Sequence, residues 1–378
     1  MPWNEVSAMK LKRDFVVLAS QEGANIRDLC RHAGVSPRTG YKWLKRYRDE
    51  GLGGLQERPR TPCASPGRTP PAVERAIITV REQHPAWGGR KIRAWLLGHH
   101  DSGAPSPSTI TAILGRHGLL DASQAASHRP WQRFEHPRPN DLWQMDFKGH
   151  FPLCQGRCHP LTVLDDHSRF ALGLEACGDE RGDTVKERLT TIFRRYGLPQ
   201  RMVMDNGAPW GDDRDHPYTP LTVWLLHLGI GVAHGRPYHP QTQGKDERFH
   251  RTLKAEVLQG RTFQDLAYCQ KAFECWRDVY NLERPHQALG NVPPASRYQV
   301  SSRPFPEALP PIEYGPEDCV RKVQDKGFLS FQGYPFRISK AFRGLQVALR
   351  PTMEDGIWDV FFLTHSVAHI DLRNPDNH

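Results

Sequence analysis

Apolar positions recur at helical spacing through the first 120 residues and change to short strand-like runs after residue 140. Leu11 to Gln21 and Asn25 to Ala33 carry the first two helical patterns, the second with Ile26, Leu29, Cys30 and Ala33 along one side, before Gly34-Val35 interrupts it. Ser36-Pro37 supplies an N-cap and a first-turn proline. A third helix is therefore predicted from Pro37 to Asp49, burying Tyr41, Leu44 and Tyr47. Residues 1–50 read as a helix-turn-helix domain, and the Gly- and Pro-rich residues 51–70 as a linker. Helical periodicity resumes at Ala72 to Gln83, Gly89 to Gly98 and Ser108 to His117, a second helix-turn-helix domain over residues 71–120. Residues 121–140, rich in Ala, Ser, His and Pro, read as another linker.

From Asp141 strands and helices alternate. Leu142 to Gly149, Leu161 to Asp165, Arg169 to Ala176 and Arg201 to Met204 are strand candidates, with Val232-Ala233 a short fifth. Asp183 to Tyr196, Pro220 to Leu228 and Gly244 to Gln259 are helix candidates, the last with Phe249, Leu253 and Val257 on one side. Residues 141–300 are thus expected to form a mixed α/β layer domain. Beyond Tyr298 only short strands with Gly and Pro turns remain, which predicts a small β-barrel over residues 301–378.

Charge sharpens this division. Of the overall +9, residues 1–140 hold 22 Lys+Arg against 12 Asp+Glu, so the basic excess is N-terminal. A basic arm in front of a near-neutral body suggests polyanion binding. On the third helix Arg38, Lys42, Lys45 and Arg46 are candidate DNA contacts, as expected of a recognition helix, and Arg90 and Lys91 keep the second domain basic. No apolar run reaches the roughly 18 residues of a spanning helix, and eight scattered cysteines do not make a disulfide framework. Cys154 and Cys158-His159 lack a second ligand pair at zinc spacing and read as a hairpin with free thiols.

Three carboxylates carry the candidate chemistry. Asp146 lies inside the strand Trp143 to Phe147, an expensive place for an unpaired charge. Asp205 ends the strand Met202-Val203-Met204, and Glu247 sits on the Gly244 helix. Hard oxygen ligands from separate elements suit Mg²⁺, with Mn²⁺ as its substitute, and two such ions can clamp an in-line phosphoryl transfer.

The sequence around these residues carries a resemblance. Trp143-Gln144-Met145-Asp146-Phe147, Asp165-Asp166-His167-Ser168-Arg169, Asp205-Asn206-Gly207, the run Pro237 to Lys254 and Tyr280 to Gly290 resemble the integrase core of insertion-sequence transposases. The resemblance implies a ribonuclease H-like fold and an Asp-Asp-Glu triad that falls on Asp146, Asp205 and Glu247. It also implies binding of terminal inverted repeats, metal-dependent cleavage and strand transfer into target DNA, a homo-oligomer on duplex DNA, and a place on the nucleoid in the bacterial cytoplasm, away from membranes. Lys245, Arg251 and Lys254 become candidate DNA contacts beside the site. Lys254, seven positions after Glu247, returns to within about 20° of it and roughly 10.5 Å further along a regular helix. The 42 positions from Asp205 to Glu247 exceed the family's usual interval, and Gly211 to Pro217 reads as a loop insertion whose Asp212, Asp213 and Asp215 could compete as ligands.

Two other classes are weighed against this reading. A DNA-binding regulator with an inactive core has no reason to keep three costly carboxylates in register. A nuclease acting on RNA–DNA hybrids has no use for two duplex-reading helix-turn-helix domains. Asp165-Asp166-His167-Ser168-Arg169, between two strands, reads as a turn closed by side-chain hydrogen bonds.

Overall fold

The computed structural model describes residues 7–58, 67–99, 103–120, 135–211, 218–234 and 244–373. The chain divides into two compact units, Met1–Arg68 and Thr69–His378. Among the described residues no helix is long and apolar enough to cross a membrane.

The first unit has three helices, α1 (Ala8–Ala19), α2 (Ile26–His32) and α3 (Pro37–Glu50). Ser7, Asn25 and Ser36 cap them by accepting the amides of Lys10, Asp28 and Thr39. Phe15, Val16, Ala19, Cys30, Trp43, Leu44 and Leu55 form its core. Tyr41, expected inside, is 50% exposed, and Trp43 takes the buried place. The phase of α3 is set by Gly40, which hydrophobicity alone does not mark: a Cβ there would lie 2.8 Å from Phe15 Cζ and clash with Cys30 Sγ. Gly40, Trp43, Leu44 and Tyr47 therefore share the inner face, and Tyr41 points elsewhere.

The second unit begins with α4 (Pro71–Gln83), α5 (Gly89–His99) and α6 (Pro107–Arg116), packed around Ile77, Val80, Trp87, Ile92, Leu96, Ile110, Ile113 and Leu114. Next comes a mixed sheet of β1 (Trp143–Phe147), β2 (Phe151–Pro152), β3 (Arg157–Asp165), β4 (Ala171–Cys177), β5 (Arg201–Met204) and β6 (Gly231–His234). Antiparallel ladders join β1 to β3 and β3 to β4, whereas β5 and β6 run parallel to β1. Helices α7 (Gly182–Tyr196) and α8 (Pro220–His227) cover one face, packing on Trp143, Met145, Leu161, Val163, Met202 and Met204. Helices α9 (Gly244–Leu253) and α10 (Leu266–Asp278) supply Phe249, Leu253, Phe273 and Trp276 to a second core that includes Leu164, Ala171 and Leu174. Since side chains alternate along a strand, Gln144 and Asp146 turn away from the face that Trp143 and Met145 share.

Both α9 and α10 end in π-helical turns, Lys254–Leu258 and Val279–Glu283. The single long helix expected over Gly244 to Gln259 is thus a shorter α-helix plus a widened turn. Glu256 in the first turn accepts from Trp276 Nε1 of α10 at 2.8 Å and from Arg284 Nε, just past the second turn, at 3.1 Å.

The C-terminal strands do not close into the expected barrel. They form a four-stranded sheet of β7 (Cys319–Lys322), β10 (Gln346–Pro351), β11 (Ile357–Phe362) and β12 (His365–Asp371), ordered β12-β11-β10-β7, and a separate hairpin of β8 (Phe328–Phe331) and β9 (Tyr334–Arg337). The edges β7 and β12 do not pair with each other. Closure is unnecessary because the apolar face finds another cover. Val223 and Leu226 of α8 join Val347, Leu349, Val360 and Phe362 in one buried cluster, and the hairpin adds Leu329, Phe331 and Phe336. Alternation within short strands does not distinguish a sheet rolled onto itself from one packed against a helix.

Candidate active site

The parallel ladder between β1 and β5 builds the site. Trp143 pairs with Met202 and Gln144 with Val203, so continuing the register two residues brings Asp146 beside Asp205, just past the end of β5. Neighbouring strands lie only about 4.8 Å apart. The two carboxylates line a cavity of about 230 Å³ with Phe147, Gly149, Glu180, Gly207, Ala208 and Trp210. Burial, then the charge of Asp205 and more weakly that of Glu180, pushes Asp146 up to about 7, against a hydrogen bond from the Phe147 amide. Sequence reasoning missed Glu180, which sits in the loop after β4 without any periodic signal.

Helix α9 lies over this pair. The Thr162 hydroxyl donates to the Asp146 carbonyl at 2.9 Å and accepts from His250 Nε2 at 2.9 Å, leaving His250 Nδ1 4.0 Å from Asp146 Oδ2. Burial lowers the His250 pKa to about 4, so the imidazole is neutral at physiological pH. Glu247 is exposed in the first turn of α9 and is not among the residues lining the cavity. Its neighbour Asp246 is buried, with neither carboxyl oxygen hydrogen-bonded among the described residues. Burial, then Asp146, Asp166 and Asp205, raises Asp246 well above the ordinary carboxylate range, which favours its neutral form. A signal for Asp246 existed, since it stands three and seven residues before Phe249 and Leu253, on the apolar stripe of the helix.

Among the described residues no cluster of three His, Cys, Asp or Glu side chains stands ready to hold a metal ion. Pro237 to Gln243 of the long motif, and Asp212, Asp213 and Asp215 of the insertion, lie outside the described residues. Lys254 opens the π turn and is exposed, and its charge, after burial, depresses the pKa of Lys148, two residues beyond Asp146. Arg251 is exposed on the last turn of α9.

Lys245 stands elsewhere. Its ammonium binds the Asp166 carboxylate and lies 3.2 Å from the Asp166 carbonyl oxygen. Arg38, Lys42 and Lys45 are exposed on α3, whereas Lys42 and Arg46 both lie over the Trp43 ring, at 4.9 and 5.1 Å. Arg90 and Lys91, at the start of α5, line a larger cavity of about 600 Å³ with Ser108, Thr111, Gln287 and Asn291. The Asp165-Asp166-His167-Ser168-Arg169 segment is a hydrogen-bonded turn. Asp165 Oδ1 accepts from the Ser168 amide and hydroxyl, and its Oδ2 accepts from the Asn140 amide. Cys154 and Cys158 are free thiols.

Residues 136–240 and 228–294 match two family models, each described as an integrase core domain. Stretches of the chain are similar to the proteins of insertion sequences. Residues 318–377 match the C-terminal domain of IS481 family transposases, residues 12–62 a helix-turn-helix domain and residues 39–114 a homeodomain-like domain. An uncharacterized 39.2 kDa protein of insertion element IS476 from Xanthomonas euvesicatoria is 29% identical over 157 residues, 42% of this chain and 44% of that protein. A 31.7 kDa protein of IS407 from Burkholderia multivorans is 26% identical over 157 residues, 42% and 54% of the two chains. A putative transposase of IS5376 from Geobacillus stearothermophilus is 22% identical over 194 residues, 50% and 48%. The chain spans about half the length of these curated relatives.

Proposed function

We propose that the chain is a DDE transposase, a polynucleotidyl transferase that binds the terminal inverted repeats of an insertion sequence and cleaves and joins DNA through Asp146, Asp205 and Glu247. The observation that carries this reading is the β1–β5 register, which aligns two carboxylates across adjacent strands within a region matching the integrase core. Two hard oxygen donors that repel each other suit a divalent cation, Mg²⁺ with Mn²⁺ as its substitute. When bound, such an ion supplies charge neutralisation for in-line phosphoryl transfer.

The chain's own residues do the rest. Glu247 adds a carboxylate from α9, and Thr162 ties neutral His250 to the Asp146 backbone beside the site. Lys148, Arg251 and Lys254 offer cations to the phosphates flanking the scissile one. Arg38, Lys42 and Lys45 on α3, with Arg46 beside Trp43 and Arg90 and Lys91 on α5, bind duplex DNA. Joining two element ends in concert requires a homo-oligomer on DNA.

The test replaces Asp146→Asn, Asp205→Asn and Glu247→Gln singly in the full chain. Each should abolish cleavage of a duplex copied from the DNA bordering the coding region, while affinity for that duplex stays within about threefold. Cleavage at the wild-type rate by any one variant removes that residue from the triad.

A further inference from the structure

Asp166 touches both elements that carry the outer members of the proposed triad. It is 2% exposed, at the turn between β3 and β4, and its backbone amide donates to the Leu142 carbonyl at 3.0 Å. Its Oδ1 accepts from Gln144 Nε2 at 2.7 Å and from the Lys245 ammonium, and its Oδ2 accepts from the His136 amide at 2.9 Å. Gln144 precedes Asp146 by two residues on β1, so the two side chains share a face of the strand. Lys245 precedes Glu247 by two residues in the first turn of α9. One buried carboxylate therefore holds the strand of the first acidic residue and the helix of the third.

We infer that Asp166 is a positioning residue, which with Gln144 and Lys245 sets the separation of Asp146 and Glu247 and hence the width of the metal-binding site. This rests on the triad proposed above. The alternative role for Lys245 is a direct contact with a DNA phosphate. Its geometry opposes that role, because the Lys245 side chain is only 15% exposed and its ammonium is occupied by two oxygens of Asp166. An ion pair closed off from water is rigid only while both partners remain; removing Lys245 leaves Arg169 as the other cation facing Asp166, and removing Asp166 leaves Lys245 half-buried beside Arg169, which repels it, with Glu135 as the other acidic group facing it. A displacement of α9 by about 1 Å is enough to impair a site that works by positioning.

The test uses the full chain with Asp166→Asn, Lys245→Gln, Lys245→Arg and the Asp166→Asn/Lys245→Gln pair. Hydrogen exchange of the metal-free protein should show the hydrogen-bonded amides of α9, Arg248 to Leu253, exchanging about tenfold faster in the two neutral variants, with the β3–β4 ladder unchanged. Single-turnover cleavage of the border duplex should fall about tenfold or more, and half-saturation by Mn²⁺ should move to higher concentration, with duplex affinity within about threefold of wild type. The double variant should be no worse than the poorer single one, and Lys245→Arg should recover most of the loss. If Asp166→Asn does not fold, Lys245→Gln alone carries the comparison. Cleavage within about twofold of wild type by Lys245→Gln, or a loss of duplex affinity that parallels the loss of cleavage, overturns the inference. A wild-type protein whose cleavage is absent, or survives Asp146→Asn, instead overturns the proposed function.

Discussion

Asp146 is under opposing demands, because β1 sets it among buried neighbours while Asp205 faces it from the next strand. Folding therefore favours its protonated form. The stability this contributes is complete below the ordinary value of 3.8 and is lost as pH rises through about 7. In chelator, stability should fall by about 1.4 kcal/mol per pH unit across that window. Asp146→Asn should remove it, so the variant should outlast the parent in denaturant at alkaline pH and match it at acid pH. Equal denaturation midpoints at both ends would show that the carboxylate is not under strain. His286 has the opposite sign. Burial, then Arg284, Lys91, Arg169 and Arg248, lowers its pKa from 6.5 to about 2, so its neutral form belongs to the folded state. The associated stability is present above 6.5 and is lost as pH falls toward 2. His286→Gln should flatten the acid limb of the stability curve by about one proton, again about 1.4 kcal/mol per pH unit. Denaturant titrations at several pH values measure both slopes. At this scale the sequence exposed Asp146 and Asp205 because a carboxylate inside or ending an apolar run is conspicuous. It did not expose Asp166 as a hub, since which oxygen meets which donor depends on the fold.

Among the elements, α3 shows how one small residue fixes a helix's phase. Gly40→Ala should crowd Cys30 and Phe15 in a packed core, an overpacking cost of about 1–3 kcal/mol. Thermal unfolding of the full chain should show a transition at lower temperature, together with weaker binding to the border duplex. An unchanged melt would mean that α1 and α2 yield freely. Elements with clear local signals were legible: Ser36-Pro37 does open a helix, and β5 occupies the expected Arg201–Met204. Helix α10 was passed over, although Asp265 caps it and Cys269, Phe273 and Trp276 follow at helical spacing, because charged residues dilute its apolar stripe. The barrel was misread for a deeper reason. Its strands were visible, but what covers their apolar face is α8, about a hundred positions away in sequence.

For the whole molecule, the proposed duplex binding should depend strongly on salt, since residues 1–140 hold the basic excess. Arg38→Gln, Lys42→Gln and Lys45→Gln, made singly in the full chain, should each reduce the slope of log affinity against log salt by about one where a phosphate contact is lost. Cleavage at saturating DNA should be little altered. A slope indifferent to all three would move the DNA footprint away from α3. The β1–β5 pairing also bears on how such a chain can lengthen over evolutionary time. Because a ladder of backbone bonds aligns Asp146 with Asp205, a change of loop length outside that ladder leaves the pairing of the two carboxylates intact. A single residue deleted within Arg201–Met204 would instead turn the carboxylate through the sheet to the opposite face. The long interval between Asp205 and Glu247 does not enter that register, whereas the parity of one four-residue strand does.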